Sequence, residues 1–377
     1  MKFADHLADA LPIIFGAFVI SGVVAFLLTP VVSRIAQRFE MIDRPDHRRV
    51  NTLPVPRGGG IAVAIASTVA TVGFLIVNQG PAALRAPASI GTMELAALLA
   101  GGIIAAVIGA LDDYLQLRAR WQLGGQLLLA GLAVALGATP DSITNPFGGT
   151  IDTGGLLGVA FTVVWILGMI NSINFIDGLD GLSSGIGIVA AVTLGLISLT
   201  TEVGGPLGQP FVAVLCFALA GALLGFLKWN FHPAAIFSGT SGVMFVGYTL
   251  ALLSILGVAK VAVALLVLGV PIIDTFWIIV RRIAAGRSPF TPDRGHIHHR
   301  LLDLGLSHRQ TVLFIYGICI LLGVLSLVLT VFQQVTAFVL FVLLSGVVLF
   351  VITRRGLDRR SNGTAPDPTA PDRTTPS

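Results

Sequence analysis

Charge is what this chain has least of. Only 11% of its 377 residues are Asp, Glu, Lys or Arg, whereas 55% are hydrophobic. Soluble domains carry about a quarter charged residues, so a soluble enzyme is excluded. Cysteine is also scarce. Cys216 and Cys319 each lie inside an apolar run, and they read as two buried thiols rather than a disulfide or a metal pair. The first apolar run has no basic n-region before it and is long enough to span a bilayer, so it reads as a retained helix rather than a cleaved signal peptide. No internal repeat is visible.

What the chain does have is long apolar runs. A spanning helix needs roughly 20 mostly apolar residues. Eleven runs meet that ruler, near 11–33, 58–78, 94–112, 123–139, 155–171, 178–199, 210–228, 240–258, 260–280, 312–331 and 334–352. The expected fold is therefore an all-α integral membrane protein, a polytopic bundle of about eleven transmembrane helices. The weakest divisions fall at 171–178 and 258–260, where no strong polar break intervenes. Basic residues stay on the cytoplasmic side of such proteins. With the N-terminus outside, alternation leaves only Lys2, Arg85 and Lys260, of 23 Lys and Arg, on the outer face. Residues 1–352 are then the membrane domain. Residues 353–377 read as a basic anchor to anionic lipid followed by a disordered cytoplasmic tail.

An ionised carboxylate beside hydrocarbon costs several kcal/mol unless it meets water, a cation or a partner. Asp112 and Asp113 nevertheless close one apolar run, and Asp177 and Asp180 lie between two others. The same threading puts all four at the cytoplasmic surface, with Asp43, Asp274 and the cluster His296-Ile-His-His299. Adjacent acids on a helix point about 100° apart, so Asp112 and Asp113 can serve different partners. The plainer alternative is a solvated helix end paired with Arg118 or Arg120, although acids at a helix C-terminus oppose its dipole.

In the run Asn171–Leu182, Asn171, Asn174, Asp177 and Asp180 are each three residues apart. If the run is helical they share one stripe. Gly178 and Gly181 weaken the helix and permit close approach. Amide and carboxylate oxygens together suit Mg²⁺, which takes a few protein oxygens plus phosphate and water. A polar turn between two short helices is the alternative. The first inner loop, Asp43-Arg-Pro-Asp-His-Arg-Arg49 followed by Pro54-Val-Pro-Arg-Gly-Gly-Gly60, offers arginines for phosphate, among them Arg57. It is equally readable as a positive-inside loop. The last loop carries Arg294, His296, His298, His299 and Arg300. With no cysteine near, diphosphate recognition fits it better than zinc, and His298 or His299 can donate a hydrogen bond or proton near neutral pH.

Together, from about Asp43 to Gln310, these residues resemble the polyprenyl-phosphate N-acetylhexosamine-1-phosphate transferases. The stretches that carry the likeness are Asp43-Arg-Pro, Pro56-Arg57 with Gly59-Gly60, Asp112-Asp113, Asn171–Leu182, Asn230-Phe-His-Pro-Ala234, Asp274-Thr275 and Gly286–Gln310. The His-x-His-His-Arg-Leu form is closest to the bacterial GlcNAc-1-phosphate branch. The resemblance implies a multi-pass enzyme of the bacterial plasma membrane with its active site at the cytoplasmic face. Its substrates would be a UDP-N-acetylhexosamine and a polyprenyl phosphate, with no nucleic acid partner and a homodimer left open. UMP would leave, and a lipid-linked diphosphosugar would remain to start a cell-envelope glycan. Mg²⁺, or Mn²⁺ in its place, would bridge the diphosphate. By the same analogy Asp112 would assist the attacking lipid phosphate, and Asp113, Asn174 and Asp177 would hold the metal. His298 and His299 would act at the reacting diphosphate. Asp43, Arg57, Asn171, Asp180, Arg294, His296 and Arg300 would bind substrate.

The sequence departs from the family pattern at five places. Thr240, in Phe237-Ser-Gly-Thr-Ser-Gly-Val243, stands where the family has a metal-contacting aspartate, and Val243 where it has serine. Asn51 replaces a histidine, Gln122 a lysine and Ala235 a basic residue. Each swap removes a charged or polar contact, and a hydroxyl is a poorer Mg²⁺ ligand than a carboxylate. An active transferase with a shifted site and a catalytically impaired paralogue that still binds lipid phosphate or nucleotide sugar are both compatible with this pattern. A transporter would place its polar residues near the bilayer midplane instead.

Overall fold

The computed structural model of the protein describes residues 3–44, 54–79, 83–87, 90–140, 142–145, 147, 150–200, 209–257, 261–284, 286 and 295–361. Among these, the chain forms thirteen helices: α1 (Phe3–Arg38), α2 (Gly60–Val77), α3 (Thr92–Leu115), α4 (Ala119–Ala135), α5 (Leu156–Ile176), α6 (Leu182–Ser198), α7 (Pro210–Asn230), α8 (Gly239–Leu256), α9 (Val261–Val267), α10 (Gly269–Ala284), α11 (Ile297–Asp303), α12 (His308–Val328) and α13 (Val331–Ser361). Two short antiparallel hairpins complete it. β1 (Ile42–Asp43) pairs with β2 (Val55–Pro56), and β3 (Ser142–Thr144) pairs with β4 (Thr150–Asp152).

Every apolar run expected from the sequence is helical, but the runs differ in length. Seven helices, α1, α2, α3, α5, α7, α8 and α12, are long and apolar enough to cross a membrane. The run 260–280 is a bent pair, with α9 and α10 at 75° to each other. Helices α4 and α6 have 17 residues each. At 1.5 Å per residue such a helix reaches about 25 Å, short of a hydrocarbon core of about 30 Å. The apolar part of α13, Val331–Val347, is equally short. Helix α13 continues to Ser361, through the boundary expected at 352, and residues 362–377 lie outside the described ones. The protein is thus a multi-pass helical membrane bundle.

Helices α7 and α8 form its centre. Of their apolar windows 78% and 94% is buried, against 22% for α1. Helix α1 packs along α7, while α3 and α5 flank α8. Both cysteines are buried and unbridged. Bilayers supply no hydrophobic force between helices, so close packing of small residues and internal hydrogen bonds must hold them together. Both are present. A Cβ on Gly60 would lie 1.9 Å from the Gly242 nitrogen, and one on Gly109 would lie 2.4 Å from the Ser241 Cα. Backbone therefore meets backbone where α2 and α3 cross the start of α8. Deeper in, the buried Tyr248 hydroxyl donates to the Ala97 carbonyl at 2.8 Å, and Trp165 Nε1 donates to Ser254 Oγ at 2.9 Å.

The connections place the C-terminal ends of α3, α5 and α7 and the N-terminal ends of α2, α4, α6 and α8 at one end of the bundle. All the acids singled out from the sequence within the described residues gather there.

The glycine crossings predict a measurable asymmetry. Overpacking a close contact costs about 1–3 kcal/mol. Gly109→Val and Gly60→Val should each lower the thermal unfolding temperature in detergent. Gly124→Ala, at a position where a Cβ meets nothing within 4 Å, should leave it unchanged or raise it, because alanine is the better helix former.

Candidate functional site

The paired acids face two ways. Asp113 turns its carboxylate to the start of α8 and accepts the backbone N–H groups of Thr240 at 2.8 Å and Ser241 at 3.0 Å. Its carboxyl group lies at a helix N-terminus, where free amide donors and the helix dipole favour negative charge. Asp112 faces α4. The Gln122 amide donates to both of its oxygens, each at 3.0 Å, the Leu117 N–H donates at 3.0 Å, and the Thr240 hydroxyl donates at 2.6 Å. The side chains of Gln122 and Thr240 therefore meet on one carboxylate. Asp112 and Asp113 are 5% and 2% exposed, and together they tie α3, α4 and α8 to one another.

Above this clasp lies a cavity of about 290 Å³. Its wall includes Asp43, Arg57, Asn174, Asp177, Asp180, Thr240 and His299. The β1–β2 hairpin supplies Asp43 and Arg57, whose side chains pair at 3.4 Å. The hairpin is held in place because Pro56 O accepts the Phe237 N–H, and Phe237 O in turn accepts that of Gly59, both at 2.9 Å. Helix α5 supplies Asn174 and ends there, with Asp177 as its C-cap. The stripe expected through Asp180 is broken at this point. Residues 177–181 form a turn that Gly181 closes at φ +80°, a conformation that costs glycine little. Asn171 and Asn174 thus lie on the helix, Asp177 at its end, and Asp180 in the turn.

Ser183, at the start of α6, donates its hydroxyl to Asp177 Oδ1. Burial pushes the Asp177 carboxyl up to about 6, against the Ser183 hydrogen bond and Arg57, which pull it down, while Asp113 and Asp180 add repulsion. Ser184 donates to Asn230 Oδ1 at 2.8 Å, and Asn230 donates to Ile236 O at 3.0 Å. These bonds hold α6 and α7 against the segment that enters α8.

The histidine cluster caps the cavity from α11. Asp274, buried on α10, accepts the Ile297 N–H at 2.8 Å and lies 2.7 Å from His296 Nδ1. His298 is 1% exposed. It lies so close over Gly178 that a Cβ there would be 2.2 Å from its Nε2, so only glycine fits beneath it. Burial, followed by the neighbouring histidines, holds the His298 imidazole well below its usual range, so it is neutral at pH 7. His299 reaches the cavity wall. Arg300 turns back, its Nε donating to Gly295 O at 3.0 Å.

A second space of about 670 Å³ adjoins the first and shares Asn174 with it. Its walls are mostly apolar, from α4, α5, α9 and α10, and include Val164, Trp165, Ile272 and Phe276. Polar groups gather at one region of it, namely Gln122, Gln126, Asn171, Arg282 and His296. Asn171 donates to Gln126 Oε1 at 2.7 Å, and Arg282 lies over the Phe175 ring, 5.8 Å from its centroid.

Of the residues expected from the sequence, the structure brings Asp43, Arg57, Asn174, Asp177, Asp180 and His299 to the cavity. It sets Asp112 and Asp113 behind its wall, Asn171 and His296 in the second space, and His298 and Arg300 beside the cavity. Arg294 and Asn51 lie outside the described residues. Ser183 and Gln126 carry contacts that the sequence did not flag. Both are uncharged, so only proximity reveals them.

The family model for glycosyl transferase family 4 matches residues 95–258. A probable undecaprenyl-phosphate N-acetylglucosaminyl 1-phosphate transferase of Bacillus subtilis is 34% identical over 319 residues, which cover 83% of this chain and 84% of that protein. A decaprenyl-phosphate N-acetylglucosaminephosphotransferase of Mycolicibacterium smegmatis is 36% identical, over 78% of this chain and 77% of its own. An undecaprenyl-phosphate alpha-N-acetylglucosaminyl 1-phosphate transferase of Thermotoga maritima is 28% identical, over 89% and 97%. On identity, coverage and motif alike, the chain belongs to glycosyl transferase family 4.

Proposed function

We propose that the protein transfers N-acetylglucosamine-1-phosphate from UDP-N-acetylglucosamine to a polyprenyl phosphate, with release of UMP. One observation carries this reading. A cavity walled by carboxylates, an arginine and a histidine opens beside an apolar groove, and Asn174 lines both. Such a pair of spaces suits a reaction between a polar nucleotide sugar and an amphiphile. The relatives' names support the same substrates.

Asn174, Asp177, Asp180 and Asp43 offer an amide and three carboxylates to one cavity, a hard-oxygen set that fits Mg²⁺ or Mn²⁺. When bound there, the ion would neutralise diphosphate charge. Arg57 and His299 stand across the same cavity to hold phosphate oxygens. The lipid phosphate supplies the attacking oxygen itself, because a phosphate monoester is largely ionised at neutral pH. Asp112, with four hydrogen bonds already accepted, serves in this reading by fixing α4 and α8 rather than by taking a proton. The groove between α5 and α10 would take the start of the isoprenoid chain, with Arg282 facing its phosphate. We place the site at the cytoplasmic face, the N-terminus outside and the C-terminus inside, because Arg57, Arg118, Arg120, Arg281 and Arg282 belong to the site-end segments and basic loops stay in the cytoplasm.

Purified protein given labelled UDP-N-acetylglucosamine, undecaprenyl phosphate and Mg²⁺ should form a lipid-linked product, and Asp177→Asn should slow it by roughly a hundredfold. Binding of both substrates without product, with other UDP-sugars also tried, would replace this reading with that of an impaired paralogue.

Position 240 gives a second outcome. Thr240→Asp sets a carboxylate where a hydroxyl now bonds Asp112 at 2.6 Å, so it should lower both activity and unfolding temperature. Gln122→Lys supplies a cation to the same carboxylate pair. The double variant should recover what Thr240→Asp loses, with a coupling of about 0.5–3 kcal/mol. A gain from Thr240→Asp alone would show that the clasp does not matter.

A further inference from the structure

Asp180 has neighbours that the proposed reaction does not use. It lies in the turn after α5, while His232 follows α7 and His308 opens α12. His232 Nδ1 is 2.7 Å from Asp180 Oδ2. The His232 and His308 rings stack with centroids 4.0 Å apart and planes 17° apart. One ligand atom from each of the three residues lies within 4.8 Å of the other two. The backbone around them is fixed. Arg309 donates from Nε and Nη2 to His232 O at 3.2 and 3.1 Å, and the Ala234 N–H donates to Asp180 Oδ2 at 3.1 Å. The Tyr316 hydroxyl, about two turns along α12, donates to Gly181 O.

Both ring nitrogens of His308 are covered by protein, and at most one of them finds a partner, in the backbone of Asp180. A covered polar atom left without a partner costs about 1–3 kcal/mol, and a histidine held in such a place calls for an explanation. A cation provides one.

We propose that Asp180, His232 and His308 form a binding site for a borderline transition-metal ion, zinc foremost, distinct from the oxygen-rich cavity proposed for magnesium. Two imidazoles and one carboxylate are the donor set of three-ligand zinc sites, which leave a fourth position for water or another oxygen. Magnesium prefers oxygen alone and is a poor occupant of two nitrogens. The ion would be held by the Asp180 carboxylate and by ring nitrogens of neutral His232 and His308, with any protons on these ligand atoms released to water. It cross-links three segments that lie far apart in the chain. It also draws on Asp180, which lines the cavity, so the two metals would share a boundary residue. The inference does not depend on the transferase reading, because it concerns binding alone.

The test titrates zinc chloride into chelator-treated, full-length protein in detergent by calorimetry, with excess magnesium present. One saturable site is expected, together with a rise in unfolding temperature. His232→Ala and His308→Ala should each weaken zinc by at least tenfold, and cobalt(II) in its place should show tetrahedral visible absorption. His308→Gln, which keeps much of the bulk and replaces the imidazole by a weakly ligating amide, should also weaken zinc, and it stands in if the alanine variant fails to fold. Absence of saturable zinc binding would overturn the proposal. So would affinity unchanged in the His232 and His308 variants but lost in His299→Ala, since the ion would then sit in the histidine cluster of α11.

Discussion

The contact between α3 and the first turn of α8 is the constraint from which the rest of the site follows. Asp113 accepts two backbone amides of that turn, and Gly109 and Gly60 let the helices approach until backbones touch. A side chain at either glycine would push α8 away and leave the amides unpaired. The carboxylate compensates free donors at a helix start, and those donors in turn compensate a buried charge. With α8 fixed, the segment that enters it from α7 is fixed too, and so are the hairpin and the α5–α6 turn that bond to it.

This arrangement divides the acids by task. Asp112 and Asp113 lie behind the wall and bind protein. Asp43, Asp177 and Asp180 lie on the wall and face open space. The division explains how a membrane protein tolerates so many carboxylates at one end: the buried ones are hydrogen-bonded, and the others border a polar cavity. It also gives a physical sense to Gln122 and Thr240, an amide and a hydroxyl that are both spent on the Asp112 carboxylate.

Much of this was legible in the sequence, and for a definite reason. An acid at the end of an apolar run is costly, so Asp112, Asp113, Asp177 and Asp180 stand out in the sequence alone. Asn174 was legible through its spacing to Asp177, and His299 through its crowded cluster. What was not legible followed from geometry that spacing does not encode. Two adjacent acids read alike, and only their partners reveal that both face inward. The stripe from Asn171 to Asp180 looked continuous because glycine does not announce where a helix will stop. The 75° bend between α9 and α10 occurs without a strong polar break, so hydropathy could not find it. Ser183 and Gln126 are common residues whose importance lies in what they touch.

That bend has a consequence for traffic. Beside it, one flank of the groove is formed by Val164 and Phe276, two apolar side chains that are 71% and 69% exposed. On the proposed reading, an amphiphile would have no need to leave the bilayer. It would arrive sideways, by diffusion in two dimensions, while a water-borne molecule would come to the carboxylate cavity from the other phase. The protein would then stand at a crossing of two solvents, with Asn174, which lines both spaces, as the post at which their cargoes meet.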